Sequence, residues 1–499
     1  MFGRLFKKAA EAEPAETATE LVARGQTRLQ VGDLVGATAL FERARDLAGG
    51  NANVLANLGN CLAQQGMIDE AMPLLRRARE IDPRQSLALL SLGNIAFVQG
   101  RFADVIEAHT LFLETNPGQV AVRRNLIFSF NQLGLWTEAA PYIQSWLADA
   151  PEDADACFSR ASMQFALNDM VALGQDLDRS LSLRPGYLDS LYLRSYFNIL
   201  SGNLAGGWQD YEVRIPLKMG NRIPPYPRWT GNPMDAGTLL MTTEQGMGDA
   251  FMFARFLPEI LARAIDVVLY CPPVLTELFS SSFPGLRVVA TGSELRLAPP
   301  VQWLPMMSAA HVLQCNCLDD LAMSAPYLIA PKPALERLEP NVPVSGNARI
   351  GLVWVGNPDR PDFRIRALPE STLEHVIDMP GVDWYSLQVE ESVPLQSGGR
   401  IRDLAPGLKN FADTAAAIAN LDAVVSIDTS VAHLSGAMDK PTFVLEPYTN
   451  DWRWRIASTA SPWYPSVRLF KAGLDPSTRW DGAVAELGAV LRNFAARRP

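Results

Sequence analysis

The sequence predicts an α-solenoid followed by an α/β region of two Rossmann-like lobes. Two observations support this fold class: glycines recur every 34 residues in the first 210 residues, and later segments alternate between apolar strand-like runs and amphipathic helices. At 499 residues the chain exceeds what one hydrophobic core usually supports, so several domains are expected.

Composition excludes several classes of protein. A net charge of -10 argues against a nucleic-acid or anionic-membrane surface as the main partner. The five cysteines are odd in number and lack paired zinc-type spacing, which fits a reducing cytoplasm. No apolar run approaches the length of a membrane span, and residues 1–17 are interpreted as a flexible N-terminal tail.

The repeat occupies residues 18–210. One residue that suits a tight turn marks each unit, and Asn168 fills the only place where glycine is missing, in the series Gly32, Gly66, Gly100, Gly134, Asn168 and Gly202. Alanines hold the small positions where paired helices cross. This is the tetratricopeptide pattern, whose helix pairs stack into a superhelix with a concave groove.

The groove is predicted to bind a protein acceptor. Asn57, Ser91, Asn125 and Ser159 stand at one position of successive units. Amides such as those of Asn57 and Asn125 offer both donor and acceptor groups to a peptide backbone. The alternative is that a polar residue before Leu-Gly is ordinary consensus in these repeats.

Residues 211–236 are rich in Pro, Gly, Trp and Arg and are interpreted as a docked linker.

Residues 237–335 are predicted to form a first lobe: TLLMTTEQ is a strand, GMGD a tight turn, AFMFARFLPEILARA a helix, and IDVVLYCP and LRVVA further strands. Alternation of this length predicts a parallel sheet.

A second lobe is expected over residues 336–499, after a Pro-rich hinge. Its strands are RIGLVWVG, GVDWYSLQV, DAVVSID and PTFVLEP. The last helix, Asp481 to Arg497, is long enough to cross back and brace the first lobe. Two such lobes with loops at the carboxyl ends of their strands make a GT-B glycosyltransferase architecture a candidate.

An anion site is predicted where the strand DAVVSI meets the next helix. Asp428, Thr429 and Ser430 lie at this junction, and His433 is one turn further on. A helix start offers free amides and the positive end of its dipole, and the hydroxyls and imidazole add donors for phosphate oxygens. The alternative is a plain helix N-cap.

Two blocks carry a family resemblance. IDTSVAHLSGAMDKP resembles the Asp-Thr-Gly-x-x-His-Leu block of the bacterial heptosyltransferases of glycosyltransferase family 9, and GMGDAFMFARFLPEIL resembles their N-terminal Gly-Asp block. Repeats joined to such a module look like bacterial protein O-glycosyltransferases, which include flagellin glycosyltransferases. The stretch EPYTNDWRW followed by SPWYPSVRLF is fairly specific to this repeat-bearing branch.

The resemblance implies a donor site. Asp428, Thr429, Ser430 and His433 would hold a donor diphosphate, with Ser430 where heptosyltransferases often have Gly. Arg366 stands where the related enzymes carry a basic residue, so it would neutralise the leaving nucleotide. Four further residues are assigned to the donor side: Gly246, Gly248, Asn357 and Arg364. Arg364 shares the role of Arg366 or faces solvent.

Asp249 is predicted to be the general base, and Glu244 is the alternate. The other interpretation of Asp249 is a helix cap. No Asp-x-Asp stands at a strand end of the α/β half, which disfavours metal-dependent chemistry, so neither a metal nor a cofactor is expected.

The sequence therefore predicts a cytoplasmic, metal-independent, inverting glycosyltransferase. It would move a sugar from a nucleotide sugar to a Ser or Thr hydroxyl of a protein, with flagellin as the best single candidate. Two alternatives stay open: an acceptor that is lipopolysaccharide or another envelope glycan, and a non-catalytic repeat scaffold with a degenerate transferase domain.

Overall fold

The computed structural model describes residues 16–321, 326–357, 363–389, 398–449, 451–454, 458–475 and 477–496. Residues 1–15, most of the expected N-terminal tail, lie outside this part of the chain. The chain divides into two compact units, residues 1–151 and 152–499, and each is taken by itself below.

The first unit consists of four helix pairs. They are α1 (Ala18–Gln30), α2 (Leu34–Ala48), α3 (Ala52–Gln64), α4 (Ile68–Ile81), α5 (Ser86–Val98), α6 (Phe102–Thr115), α7 (Val120–Gln132) and α8 (Trp136–Asp149). The first helices of the pairs begin at residues 18, 52, 86 and 120, which are 34 residues apart. The repeat expected from the sequence is confirmed.

The repeated glycines serve the turns within the pairs. The φ angles of Gly32, Gly66, Gly100 and Gly134 lie between 69° and 82°, in the left-handed region. Asn168 takes the same conformation, with φ of 62°, so it fills the missing glycine position as expected. Asparagine tolerates this region better than other residues with a Cβ.

The second unit begins with the last two helix pairs, α9 (Ala154–Ala166), α10 (Met170–Leu183), α11 (Leu188–Leu200) and α12 (Leu204–Tyr211). The unit boundary therefore falls inside the repeats and not at residue 210. The reason is packing: Ile199, Leu204, Trp208 and Tyr211 are buried in the same hydrophobic core as the first α/β lobe.

The linker is docked on this lobe. A short π-helical turn, Ile215–Met219, and a 3₁₀ turn, Gly220–Arg222, follow α12. The backbone on either side of Arg228 then pairs with Trp303 of the lobe, since Trp229 N donates to Trp303 O and Trp303 N donates to Pro227 O, both at 2.9 Å.

The first lobe contains a four-stranded parallel sheet in the order β3-β2-β1-β4. Its elements are β1 (Thr238–Thr242), α13 (Met247–Phe253), α14 (Leu257–Arg263), β2 (Val267–Cys271), α15 (Pro273–Ser282), β3 (Arg287–Ala290), β4 (Val301–Pro305), α16 (Ala309–Val312) and α17 (Lys332–Leu338). The single helix expected after the GMGD turn is two helices joined by the 3₁₀ turn Ala254–Phe256. Pro258 explains the break, because it has no N–H to donate to the carbonyl of Ala254.

The second lobe contains a six-stranded parallel sheet in the order β10-β9-β8-β5-β6-β7. Its elements are β5 (Ala348–Val353), α18 (Phe363–Arg366), α19 (Glu370–Ile377), β6 (Val382–Ser386), β7 (Ile401–Asp403), α20 (Phe411–Asn420), β8 (Ala423–Ile427), α21 (Ser430–Ala437), β9 (Thr442–Glu446), β10 (Val467–Lys471) and α22 (Asp481–Ala496). This is the Rossmann strand order, and the expected α/β class is confirmed. Strands β7 and β10 were not expected from the sequence.

Helix α22 does not brace the first lobe, which corrects the expectation for the C-terminal helix. Its buried residues Ala483, Val484, Leu487 and Leu491 pack in a core made by the second lobe. The lobes instead meet through one continuous hydrophobic core that joins α13 and α15 to α20 and α21.

Among the described residues, no helix is both long enough and apolar enough to cross a membrane.

Candidate active site

A cavity of about 660 Å³ lies between the two lobes, at the carboxyl ends of β1, β5, β6 and β8. In both sheets this is the point where the strand order reverses, which is where open α/β sheets bind ligands. A volume of this size suits a ligand as large as a nucleotide sugar. Among the lining residues are Gly246, Gly248, Asp249, Asn357, Arg366, Gln388, Lys409, Asp428, Thr429, Ser430, His433, Asp451 and Arg453.

The start of α21 is available to an anion. Thr429 is the N-cap residue, yet its side chain makes no capping hydrogen bond. The Thr429 hydroxyl instead shares a hydrogen bond of 2.9 Å with the Ser426 hydroxyl behind it. Because the side chain of Thr429 does not cap the helix, the amides of the first turn can face a phosphate, which favours the anion site over the plain N-cap.

Asp428 does not face a phosphate directly. Its carboxylate accepts a hydrogen bond from Arg366 Nη1 and lies 3.7 Å from His433 Nε2. Burial alone would raise the pKa of Asp428, but Arg366 and His433 outweigh burial and hold it well below its ordinary value. Asp428 therefore fixes the cation and the imidazole that were predicted to contact the donor.

His433 is buried and also lines the cavity. Its Nδ1 is 3.1 Å from the Tyr464 hydroxyl, and its ring stacks on Trp454 with centroids 4.9 Å apart. These contacts fix the ring plane, so Nε2 is the nitrogen on the side of Asp428. His433 is therefore both a cavity residue and a packed core residue.

Asp249 lies across the cavity on the first turn of α13. Its Oδ2 accepts a hydrogen bond of 3.1 Å from Gly246 N, so the cap interpretation is also met. Gly248 is required by packing: a Cβ there would lie 2.7 Å from His433 Cδ2 and 3.4 Å from Ser430 Cα. The two helix starts of the two lobes therefore touch at this point.

Sequence reasoning missed Arg453. Its Nε donates to Asp249 Oδ1 at 2.8 Å, and its Nη1 donates to Asp451 Oδ1 at the same distance. Asp451 also accepts a hydrogen bond of 3.3 Å from Arg366 Nη2. The motif DWRW, quoted for its resemblance, could have pointed to it. In this motif an Arg lies between two buried tryptophans and follows an Asp by two positions.

These groups form one chain of contacts in which each carboxylate lies between two basic side chains or at the end of the chain. It is called here the cavity network: Asp249, Arg453, Asp451, Arg366, Asp428 and His433. Burial would lower the pKa of Arg453, but Asp249 and Asp451 raise it well above its ordinary value. Including Lys409, the described lining contains three cations and three carboxylates. A phosphate would therefore be held by directed N–H and O–H donors more than by surplus positive charge.

The remaining predicted residues differ in placement. Asn357 lines the cavity. Arg364 lies in α18, but its side chain is outside the described part of the structure. Among the described residues, the lining does not include Glu244.

Glu244 belongs to a separate buried cluster, called here the linker network: Glu212, Arg214, Arg228, Glu244 and Ser308. Arg214 donates to both oxygens of Glu244, at 2.9 and 3.1 Å, and Met307 N donates to Oε1 at 2.8 Å. This placement does not fit the expectation of an alternate base, because its oxygens are held inside the protein away from the cavity.

The repeat helices of the second unit contact the segment that carries Arg453. Asn168 Nδ2 donates to Tyr448 O at 3.2 Å, and the Tyr448 hydroxyl donates to Leu167 O at 3.3 Å. Trp452 packs against Tyr196 and Tyr211, with ring centroids 6.1 and 5.4 Å apart. Asn168, which replaces the repeat glycine, therefore contacts the segment that carries Arg453.

The predicted acceptor residues lie in the first unit. Asn57 is 2% exposed, accepts a hydrogen bond of 3.1 Å from Gln26 Nε2 and donates to Asn53 O at 2.8 Å. This does not fit the expectation for Asn57, because its amide joins neighbouring helices and offers no surface to a peptide. Asn125 is half-buried, and its assignment stays a prediction.

No group of three or more His, Cys, Asp or Glu is arranged to hold a metal ion in the part of the chain that the structure describes.

Family models match one segment in each half of the chain. The tetratricopeptide repeat model matches residues 28–95. The model of glycosyltransferase family 9 (heptosyltransferase) matches residues 389–479, which include α21 and Arg453. The chain is a repeat protein with a glycosyltransferase family 9 domain. It is therefore a glycosyltransferase.

One relative resembles most of the chain. The chain is 26% identical over 439 residues to Protein FlbA of Caulobacter vibrioides, across 79% of this chain and 71% of that protein.

Solved structures resemble the chain more loosely. One is YrrB, described as a TPR protein with an unusual peptide-binding site, at 17% identity over 36% of this chain and 92% of that one, with a TM-score of 0.33. Another is a tetratricopeptide repeat protein from Parabacteroides merdae, at 17% identity over 42% of this chain and 81% of that one, with a TM-score of 0.34.

Proposed function

We propose that this glycosyltransferase moves a sugar from a nucleotide sugar to a Ser or Thr hydroxyl of a protein, with inversion and without a metal. The observation that carries the proposal is the cavity between the lobes, which holds a carboxylate, Asp249, on one side and an uncapped helix start with Arg366 on the other. A transfer needs one group to accept a proton and another to stabilise a leaving phosphate.

The donor half of the reaction belongs to the second lobe. The amides at the start of α21 and the hydroxyls of Thr429 and Ser430 would hold the phosphates, and Arg366 would stabilise the charge that develops on the leaving nucleotide. Asp428 and Asp451 both hold the Arg366 guanidinium, which is therefore in place before a ligand arrives. His433 would add a hydrogen bond to the same phosphates.

The acceptor half of the reaction belongs to Asp249. As the hydroxyl oxygen bonds to the anomeric carbon, the bond from that carbon to the phosphate oxygen breaks, and the hydroxyl proton passes to the Asp249 carboxylate. The sugar is displaced from the side opposite the leaving group, which inverts the anomeric centre. The charge on the departing nucleotide comes to rest beside Arg366.

The protein acceptor is supported by the repeats, which are binding modules for polypeptides in general. The contacts of Tyr448 and Trp452 with α9 to α12 place repeat helices directly against the segment that holds Arg453. Flagellin is proposed as the first acceptor to test, on the resemblance to bacterial protein O-glycosyltransferases, and the cytoplasm as the location.

The donor can be found by thermal stabilisation of the full chain with UDP-, GDP-, ADP- and CMP-linked sugars, since a ligand bound only by the folded state raises its stability. With the donor that stabilises, Asp249→Asn should reduce transfer to flagellin by roughly a hundredfold or more while the stabilisation by donor is kept. Near-normal transfer by this variant would remove the assignment of the base. Transfer to lipopolysaccharide with none to any protein tested would favour the envelope-glycan alternative.

A further inference from the structure

We infer that Arg453 is a positioning residue that fixes the plane of the Asp249 carboxylate and so directs the lone pair that accepts the proton. The inference rests on the proposed function, because it takes Asp249 as the base. Arg453 belongs to the second lobe and Asp249 to the first, so the orientation of the base depends on a residue of the donor-binding lobe.

The hydrogen bonds to Asp249 divide its two oxygens. Within the described part of the chain, Nε and Nη2 of Arg453 both donate to Oδ1, with Nε at 2.8 Å, whereas Oδ2 accepts one hydrogen bond, from Gly246 N at 3.1 Å. A carboxylate oxygen has two lone pairs. Oδ1 is therefore fully used, and Oδ2 keeps one lone pair for the hydroxyl of the acceptor.

The Arg453 side chain is itself held in place. Its Nη1 donates to both oxygens of Asp451, at 2.8 and 3.1 Å, and its guanidinium lies 4.5 Å from the ring centroid of Trp452. Trp452 is 2% exposed, so it cannot move aside easily. An arginine fixed at both edges and on one face acts as a rigid template and not as a mobile surface charge.

Without this template the carboxylate loses its orientation. Rotation about the terminal bond of an aspartate is broad, so the cap hydrogen bond from Gly246 does not by itself fix the plane of the carboxylate. A lysine at 453 would keep the positive charge but not the two parallel N–H groups that fill both lone pairs of Oδ1.

The test compares Arg453→Met, Arg453→Lys, Asp249→Asn and the double variant Asp249→Asn/Arg453→Met in the full chain, with the donor found by thermal stabilisation and flagellin as acceptor. We expect Arg453→Met to lower kcat roughly tenfold or more, with donor affinity by calorimetry and KM for flagellin within about twofold. Arg453→Lys should recover only part of this loss. In the Asp249→Asn background, Arg453→Met should have less than about a twofold further effect, because Arg453 acts through Asp249.

Arg349→Met is the matched control. Arg349 pairs with Asp422 in the same lobe at 2.8 Å, its side chain is 17% exposed against 15% for Arg453, and among the described residues it is not part of the cavity lining. This variant should lose stability without the change in kcat. If Arg453→Met does not fold, Arg453→Lys alone and combined with Asp249→Asn provides the same comparison.

Three results would overturn the inference. They are a normal kcat for Arg453→Met, a loss confined to donor affinity, and independent, multiplicative losses in the double variant. If Asp249→Asn itself transfers sugar normally, the proposed base is wrong, whatever Arg453→Met does. If Asp249→Asn is inactive while Arg453→Met is normal, the proposed function stands and only the role of Arg453 fails.

Discussion

The linker network and the cavity network lie on either side of the turn that follows β1, and both join arginines to carboxylates. In the linker network the side chains of Arg214 and Glu244 are 0% and 1% exposed. In the cavity network those of Arg453 and Asp249 are 15% and 8% exposed, and both line a space that a ligand can enter. An arginine–carboxylate pair therefore has a structural role where the protein surrounds it, and it is available for function where one side faces a cavity.

The largest expected effect separates the two networks by stability. Glu244→Gln should lower the free energy of unfolding by up to about 3–5 kcal/mol, because the fully buried Arg214 then keeps only Glu212, whose side chain is partly exposed. Asp249→Asn should cost clearly less, because Arg453 keeps Asp451 and the Arg453–Asp249 pair is less deeply buried. Urea unfolding of the two variants measures both values, and equal losses would mean that the networks do not differ in this way.

A third buried carboxylate, Glu446, extends the comparison, because the cation beside it is a lysine and not an arginine. Glu446 is 1% exposed, and within the described structure neither oxygen has a hydrogen-bond partner; the Lys471 ammonium lies 3.6 Å from Oε1. Burial raises the pKa of Glu446 to about 8, with Lys471 opposing the shift. Between about pH 4.5 and 8 the folded state then binds more protons than the unfolded state. The stability that protonated Glu446 contributes is therefore fully present below this range and is lost as the pH rises through it.

Glu446→Gln should therefore unfold at a urea concentration that changes less with pH than that of the wild type. The two proteins should diverge by a few kcal/mol as pH rises from 5 to 8.5, with the variant the more stable. Glu486→Gln is the control, since this carboxylate is half exposed and pairs with Arg468 at the surface. If the stability of the wild type and that of Glu446→Gln changed with pH in the same way, the pKa of Glu446 would not be raised.

A smaller effect is expected from the histidine of the cavity network. His433→Ala should weaken binding of the nucleotide sugar by about 1–3 kcal/mol, the loss of a hydrogen bond to a phosphate in a closed site. Calorimetry with the donor measures this change. Tyr464→Phe is a control that removes the 3.1 Å contact to Nδ1 behind the ring and leaves Nε2 in place. Unchanged donor affinity in a folded His433→Ala protein would remove His433 from the donor site.

The smallest effect concerns the contact between the repeats and the Arg453 segment. Asn168→Gly keeps the left-handed turn and removes only the hydrogen bond to Tyr448 O, so the free energy of unfolding should fall by about 1 kcal/mol or less. Asn168→Ala should cost more, because alanine is strained at φ of 62°. If glycine and alanine cost the same, the hydrogen bond and not the turn is what asparagine contributes here.

Local periodicity and strand junctions were predictable from the sequence alone. The 34-residue repeat, the turn role of Asn168, the two parallel sheets and the placement of Asp428 to His433 at a helix start all depend on residues close together in the chain. A turn or a strand end requires its own residue types regardless of what packs around it. Asp249 reached the cavity for the same reason, since it follows the strand that ends there.

The tertiary structure decided whatever depends on distant partners. Glu244 and Asp249 are five residues apart, yet one meets Arg214 in the linker and the other meets Arg453 more than 200 residues away. Likewise, α22 covers its own lobe, and the last repeats join the core of the first lobe. Helix period and capping residues determine that such helices form. The apolar surface that each helix covers depends on the whole fold, because the hydrophobic effect is non-directional and favours burial against any matching apolar surface.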